Sequence, residues 1–119
     1  RSGENIAAAE VEAVIQEHYA VAQVTCIAVA DELREEEVFA CIVPAIQTQV
    51  SEEIALDIFN HCFERLAYYK APGWLLFVES LPVTGTQKVI KHKIFSADID
   101  PCKQQGVFDL RHFKKRTRY

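Results

Sequence analysis

The order helix, strand, strand, helix, strand predicts an α+β domain: a small, mostly antiparallel three-stranded sheet packed with helices, plus an N-terminal loop or hairpin. Three observations lead there. The chain has 119 residues, half of them hydrophobic and a quarter charged, enough for a single globular core. Apolar residues recur with a helical period in two segments and run continuously in three short ones. Proline, glycine or charged clusters punctuate the boundaries.

Taken in order, residues 8–20 carry Val11, Val14, Ile15 and Tyr19 on one helical face, with His18 flanking it as a packing or surface residue. Residues 22–30 are rich in β-branched side chains and predict a buried strand. The charged turn 31–36 links it to a second strand, 38–43, ended by Pro44, and so short a connection predicts an antiparallel hairpin. Ser51 is an expected N-cap, with Glu52 and Glu53 in the first turn of a helix running to about Ala67. Ala55, Phe59, Cys62, Phe63 and Leu66 mark its buried side, and His61 is expected in solvent. Pro72 and Gly73 break the chain before a third strand, 74–80, which Pro82 stops. A polar loop, 84–87, then leads into a short basic helix, 88–95.

Composition excludes several classes. Four glycines and four prolines rule out collagen-like and linker chains, and no apolar run approaches the ~20 residues of a membrane span. No charged-then-apolar leader opens the chain, so no signal peptide is expected; with no methionine anywhere, Arg1 is not expected to be the native start. Cys26, Cys41, Cys62 and Cys102 form no Cys-x-x-Cys pair, and no paired histidines stand at zinc-finger spacing, so no metal site is expected. Cys26, Cys41 and Cys62 fit buried, reduced thiols of a cytoplasmic protein.

The net charge of −4 conceals a split. Residues 1–83 set four basic residues against fourteen acidic ones, a balance of −10, whereas 84–119 set nine against three, a balance of +6. An anion-facing surface is therefore expected near the C-terminus, although 111–119 taken alone predict a solvated, partly frayed tail. One function consistent with this split is an independent α+β module that binds nucleic acid through its basic third. The acidic pI, near 5.5, and the lack of an aromatic-basic RNA motif weigh against it.

The segment richest in chemistry is Leu81-Pro82-Val83-Thr84-Gly85-Thr86-Gln87-Lys88-Val89-Ile90-Lys91-His92-Lys93. A strand delivers the chain to a proline, a small hydroxyl-rich loop follows, and a lysine stands at its end. A lysine so presented is a compact positive charge on a flexible stem, suited to a phosphate or carboxylate oxygen. The spacing is not that of a P-loop. By pattern alone the signal is weak, and a surface loop followed by a solvated basic helix explains the segment better.

The motif Leu81-Pro82-x-Thr84-x-Thr86-x-Lys88-x-x-Lys91 resembles the C-terminal lysine motif of the AMP-forming acyl-CoA synthetases, a superfamily that includes nonribosomal-peptide adenylation domains and luciferases. The opening run Arg1-Ser2-Gly3-Glu4-Asn5-Ile6-Ala7-Ala8-Ala9-Glu10-Val11-Glu12 resembles the loop just after that family's interdomain hinge, and Asp31-Glu32 and Tyr69-Lys70-Ala71-Pro72 are similar to further signatures in the right order. The resemblance covers about 1–95, leaving 96–119 as a basic extension. It implies that residues 1–119 are the mobile lid of an ATP-dependent carboxylic acid–CoA ligase, inactive in isolation, whose partner is the large N-terminal adenylation domain of the same protein.

ATP, Mg2+ and coenzyme A would be bound mainly with that domain. Lys88 is implied to be the adenylation lysine, with Thr84, Gly85 and Thr86 forming its loop. Ser2, Gly3 and Glu4 are implied to be the loop that enters the site for thioester formation, where Gly3 would let backbone pass close to the pantetheine chain. Acylation of Lys88 would remove the charge that the first step needs. Four positions depart from the family pattern: Gln87 where many members have glycine, Glu35 where relatives often have glycine, and Ala71 and Gly73 where some relatives carry basic residues toward coenzyme A. The nature of the acid, and coenzyme A against a carrier protein as acceptor, stay open at this level.

Overall fold

The computed structural model describes residues 4–31, 35–83, 94–95 and 99–114. Helix α1 (Glu4–Gln16) leads into strands β1 (Val21–Asp31) and β2 (Glu35–Pro44), followed by helix α2 (Glu52–Arg65), strand β3 (Trp74–Phe77) and a two-residue strand β4 (Phe108–Asp109). The sheet order is β1-β2-β3-β4. The hairpin β1–β2 is antiparallel, with Cys26 opposite Ala40 and Ala30 opposite Glu36. β3 joins β2 in parallel, because α2 carries the chain back across the sheet between them, and β4 returns antiparallel to β3. The α+β class therefore stands, with a fourth strand where three were expected.

Side-chain alternation on the strands divides the core into two layers. Cys26, Ala40, Ile42 and Leu75 point to the helices and pack with Val11 and Ile15 of α1 and with Ala55, Ile58, Phe59 and Cys62 of α2. On the opposite face Phe39 and Cys41 pack with Leu81, and Ile27, Val43, Trp74, Leu76, Ile94 and Phe95 close around them. Neither α-helix packs on this second face, where Cys102 of a short 3₁₀ turn, Pro101–Lys103, also packs.

Several expectations change. α1 begins at Glu4 and stops at Gln16, so Glu4 belongs to a helix and not to a loop; Ser2 and Gly3 lie outside the described residues. The helix ends early because Glu17 N–H and His18 N–H bond back three residues, to Val14 and Ile15, tightening the last turn. The Ala20 N–H then donates to His18 Nδ1, at 3.1 Å. Tyr19, assigned to the apolar face, is left 74% exposed. Ser51 caps α2 as expected, its Oγ accepting from Ile54 N–H at 3.2 Å. His61 is not in solvent: its Nε2–H donates to the Val14 carbonyl at 3.0 Å and lies 3.3 Å from Glu17, tying α2 to α1. β3 ends at Phe77 rather than at residue 80. Of the expected basic helix, 88–93 lie outside the described residues, and Ile94 and Phe95 form a turn and a bend. Among the described residues, no helix is long and apolar enough to cross a membrane.

The largest correction concerns the tail. Lys114 is buried, with its Nζ 2.6 Å from Oε1 of an equally buried Glu37 and 3.0 Å from the Tyr69 carbonyl. Leu110 joins the helix-side core, and Phe113 stacks at an angle on Phe59, 6.0 Å between centroids. The chain up to 114 is thus part of the folded body, because the apolar area of Leu110 and Phe113 offsets the cost of ordering it.

Candidate functional site

Two sequence stretches single themselves out, and the sheet places them on different layers. The described residues on either side of the lysine segment are Leu81 to Val83 and Ile94 and Phe95. Leu81 is buried against Phe39 and Cys41, and Phe95 meets Phe39 edge to face, 5.7 Å between centroids. Leu81 and Phe95, which bracket the segment, are therefore packed on the face opposite α1 and α2. Val83, at its mouth, is 38% exposed. Thr84, Gly85, Thr86, Gln87, Lys88, Lys91 and Lys93 lie outside the described residues. Burial pushes the Cys41 thiol up to about 12, and Cys62 on the helix side is likewise pushed up to about 12. Both stay protonated near neutrality and are not nucleophiles.

The second stretch is the N-terminal run into α1, together with the connection 68–73. Ala71 belongs to the helix-side core, and Lys70 Nζ bonds Glu10 Oε1 of α1 at 2.6 Å. That bond favours the charged ammonium and raises the affinity of Lys70 for its proton. Glu4, where α1 opens, is less than two turns from Glu10 along the same helix. The start of α1 and the Tyr69-Lys70-Ala71-Pro72 signature thus share one layer, opposite the lysine segment.

The connection 68–73 is held at several atoms. Gly73 N–H donates to the Val38 carbonyl at 2.9 Å, and Leu110 N–H donates to the Gly73 carbonyl at 2.8 Å. Pairing of β2 with β3 starts at Phe39 and Trp74, so Glu37 lies in an overhang of β2 beyond β3, and there Lys114 meets it. A Cβ at residue 73 would stand 2.6 Å from Glu37 Oε2 and closer still to Glu37 Cγ and Cδ. Glycine at 73 is therefore the room that Glu37 occupies. Nearby, Arg111 lies over the Trp74 ring at 4.3 Å and bonds Asp109 through two nitrogens, at 2.9 and 2.8 Å, which holds the Asp109 carboxyl below its usual range.

Sequence reasoning missed Glu37, Lys114 and Glu12. Glu12 Oε2 accepts from Cys26 N–H at 2.8 Å and from Thr25 Oγ1 at 3.2 Å, fixing α1 to β1. The one available signal was Glu37 directly before the apolar run 38–43, two residues before Phe39 and on its side of the strand. His18 donates from Nε2 to Asp57 at 2.6 Å while its Nδ1 accepts from backbone, so both ring nitrogens are used structurally. No group of three His, Cys, Asp or Glu able to hold a metal ion occurs among the described residues. They offer no seat for Mg2+, and none of them is assigned to it.

Comparison with known proteins agrees with this arrangement. A family model described as the AMP-binding enzyme C-terminal domain matches residues 10–88. A medium-chain acyl-CoA ligase of Danio rerio, described as mitochondrial, is 37% identical over 95 residues, covering 79% of this chain and 15% of that protein. A long-chain-fatty-acid–CoA ligase of Mycobacterium tuberculosis is 40% identical over 89 residues, 75% of this chain and 17% of that one. Among solved structures, an anthranilate CoA ligase in complex with anthranoyl-AMP superposes with a TM-score of 0.69 at 36% identity, over 76% of this chain and 17% of the other. The chain spans about one-sixth of the length of these relatives.

Proposed function

Because the chain belongs to the AMP-binding enzyme C-terminal domain family, we propose that it works as the mobile lid of an ATP-dependent carboxylic acid–CoA ligase. The observation that carries this reading is the family match itself, which runs from α1 to Lys88. In the first half-reaction an oxygen of the carboxylate attacks the α-phosphorus of ATP; the new C–O–P linkage gives acyl-adenylate, and pyrophosphate leaves. In the second, the sulfur of coenzyme A attacks the acyl carbon, the thiol proton passes to solvent, and AMP leaves with the electron pair of the broken C–O bond.

Lys88 would serve the first step. Its ammonium would sit between carboxylate and α-phosphate oxygens, offset their repulsion and stabilise the charge that grows on the phosphoryl group. Small residues at Thr84, Gly85 and Thr86 would let the segment reach into another domain's cleft from its two anchors, Leu81 and Phe95. Ser2, Gly3 and Glu4 would face the site in the second step. No step is derived through Mg2+. The acid, ATP and coenzyme A would be held mainly by the N-terminal domain, so the isolated chain would show no ATP–pyrophosphate exchange. Free thiols at Cys26, Cys41, Cys62 and Cys102 suit a reducing compartment, the cytoplasm in this reading.

An independent nucleic-acid module gains no support. Lys70, Arg111 and Lys114 are each committed to a carboxylate, which removes them from a phosphate-binding surface.

The test is Lys88→Ala in the full-length ligase. Loss of a charge contact in a water-excluded site removes about 3–4 kcal/mol, so adenylate formation should fall by two to three decades. Thioester formation from pre-made acyl-adenylate should be nearly unchanged. Equal loss in both half-reactions, or none in either, would overturn the role.

A further inference from the structure

Lys114 lies outside the family match, in the segment that sequence reasoning left as a solvated tail. Its burial and its two partners suggest a more specific part. We propose that Lys114 is a positioning residue for the thioester-forming half of the reaction: through Glu37 and the Tyr69 carbonyl it pins the connection 68–73 beside α1. The proposal rests on the ligase reading above.

Lys114 is 2% exposed, and its ammonium reaches two acceptors, Glu37 Oε1 at 2.6 Å and the Tyr69 carbonyl at 3.0 Å. The bond to the Tyr69 carbonyl fixes the residue next to Lys70. Lys70 in turn bonds Glu10, six residues along α1 from Glu4. The far end of the same connection is fixed by Leu110 N–H on the Gly73 carbonyl, so residues 110 and 114 together hold both ends of it. What the connection offers outward is the Tyr69 ring, 55% exposed, with Lys70 beside it.

Glu37, opposite Val29 on β1, leaves the strand on the face of Phe39 and Cys41, and Lys114 links it to the connection 68–73, which lies on the helix side through Ala71 and the Lys70–Glu10 bond. Ala71 and Leu110 are in the helix-side core, and Phe113 packs on Phe59 of α2. The lysine segment is anchored on the opposite face, to Phe39 and Cys41. Loosening 68–73 should therefore disturb the step served by the α1 side and spare the step served by Lys88. A residue that merely stabilises the domain would weaken both.

The experiment uses the full-length ligase, with octanoate, palmitate and benzoate as acid probes. ATP–pyrophosphate exchange, thioester formation and the KM for coenzyme A are measured for Lys114→Met, Lys114→Arg and the double variant Glu37→Gln/Lys114→Met. Lys114→Met should raise the KM for coenzyme A about tenfold, the worth of one charged hydrogen bond to a positioning carbonyl, and leave exchange within about twofold. Lys114→Arg should recover most of the loss, because a guanidinium also bridges a carboxylate and a carbonyl. The double variant leaves no uncompensated charge in the core and so folds even where Lys114→Met does not. It still lacks the donor to Tyr69, so its KM should stay raised. A KM unchanged in the double variant, or equal loss of both half-reactions in every variant, overturns the positioning role while the ligase reading stands. A wild-type enzyme that forms no adenylate from any of the three acids overturns the reading and the role with it.

Discussion

The close contact between Gly73 and Glu37 is testable at one atom. Gly73→Ala adds a methyl group that would stand 2.6 Å from Glu37 Oε2 and closer to Glu37 Cγ and Cδ, where ordinary contacts need about 3.5 Å. Something must move by about 1 Å. The backbone at 73 resists, since its N–H bonds Val38 and its carbonyl accepts from Leu110. Glu37 resists as well: its Oε1 accepts from Val38 N–H at 3.0 Å and from Lys114 Nζ at 2.6 Å. Overpacking of this kind costs about 1–3 kcal/mol, and loosening a buried ion pair adds part of the 3–5 kcal/mol that breaking one costs. Against this, alanine narrows the unfolded ensemble and returns about 0.4–1 kcal/mol. The expected net loss is about 2–4 kcal/mol.

Urea unfolding reads this directly, because Trp74, the single tryptophan, is the next residue. With a slope of about 1.5 kcal/mol per molar for a chain of this size, the midpoint should fall by about 1.5–2.5 M. In a Glu37→Ala/Lys114→Met background the obstacle is gone, and the same Gly73→Ala change should cost under about 1 kcal/mol. A midpoint unmoved in the native background refutes the argument. A full loss in the substituted background shows that Glu37 is not what excludes the methyl group.

Two further outcomes follow from the same structure. Cys41 and Cys62 keep their protons to about 12 in the fold, whereas in the unfolded chain they ionise near the ordinary 9.0. Their contribution is complete below pH 9 and is lost as pH rises from 9 toward 12, by about 1.4 kcal/mol per unit for each thiol. Urea titrations under reducing conditions at about pH 8 and about pH 10.5 should show this fall, and Cys62→Ala should remove about half of its slope. Ser51→Ala deletes the acceptor for Ile54 N–H and should cost about 1 kcal/mol, while Ser51→Asp should cost little, both read from urea midpoints.

The sequence was legible where one local rule governed. Alternation in β2 separates Ala40 and Ile42 from Phe39 and Cys41, and the charged turn predicts the hairpin. Ser51 is a cap in sequence and in structure. Legibility failed where a distant partner decided. Tyr19 fits the helical period of α1, yet backbone bonds of the 3₁₀ kind and His18 Nδ1 turn the chain before it. β4 has two residues and no periodicity of its own; it forms because the edge of β3 is open to pairing. Lys114 stands in a run of basic residues that resembles any solvated tail, and its partner Glu37 is 77 residues away. At the candidate site, the Leu81-Pro82 anchor could be read from sequence, whereas the packing of Ile94 and Phe95 on the Phe39 face could not, because it depends on which face of the sheet lies opposite α1 and α2.

That arrangement constrains how one small domain could serve two half-reactions. The lysine segment is anchored to Phe39 and Cys41, and the start of α1 and the connection 68–73 belong to the layer of Ala40, Ile42 and Ala71. Exchanging the faces internally would require β2 to slip by one residue against β1, which would turn every buried side chain from Val38 to Val43 toward the wrong layer. The stability at stake is that of the whole core, so no local rearrangement supplies such a change. On the proposed reading, a lid that presents Lys88 first and the α1 side second must therefore turn as one body about a point outside the sheet. Buried ties such as Glu12 to Cys26 N–H, His61 to the Val14 carbonyl and Lys114 to Glu37 then have a common consequence: they keep the two layers in fixed relation, so that rotation of the body alone selects which one faces the substrate.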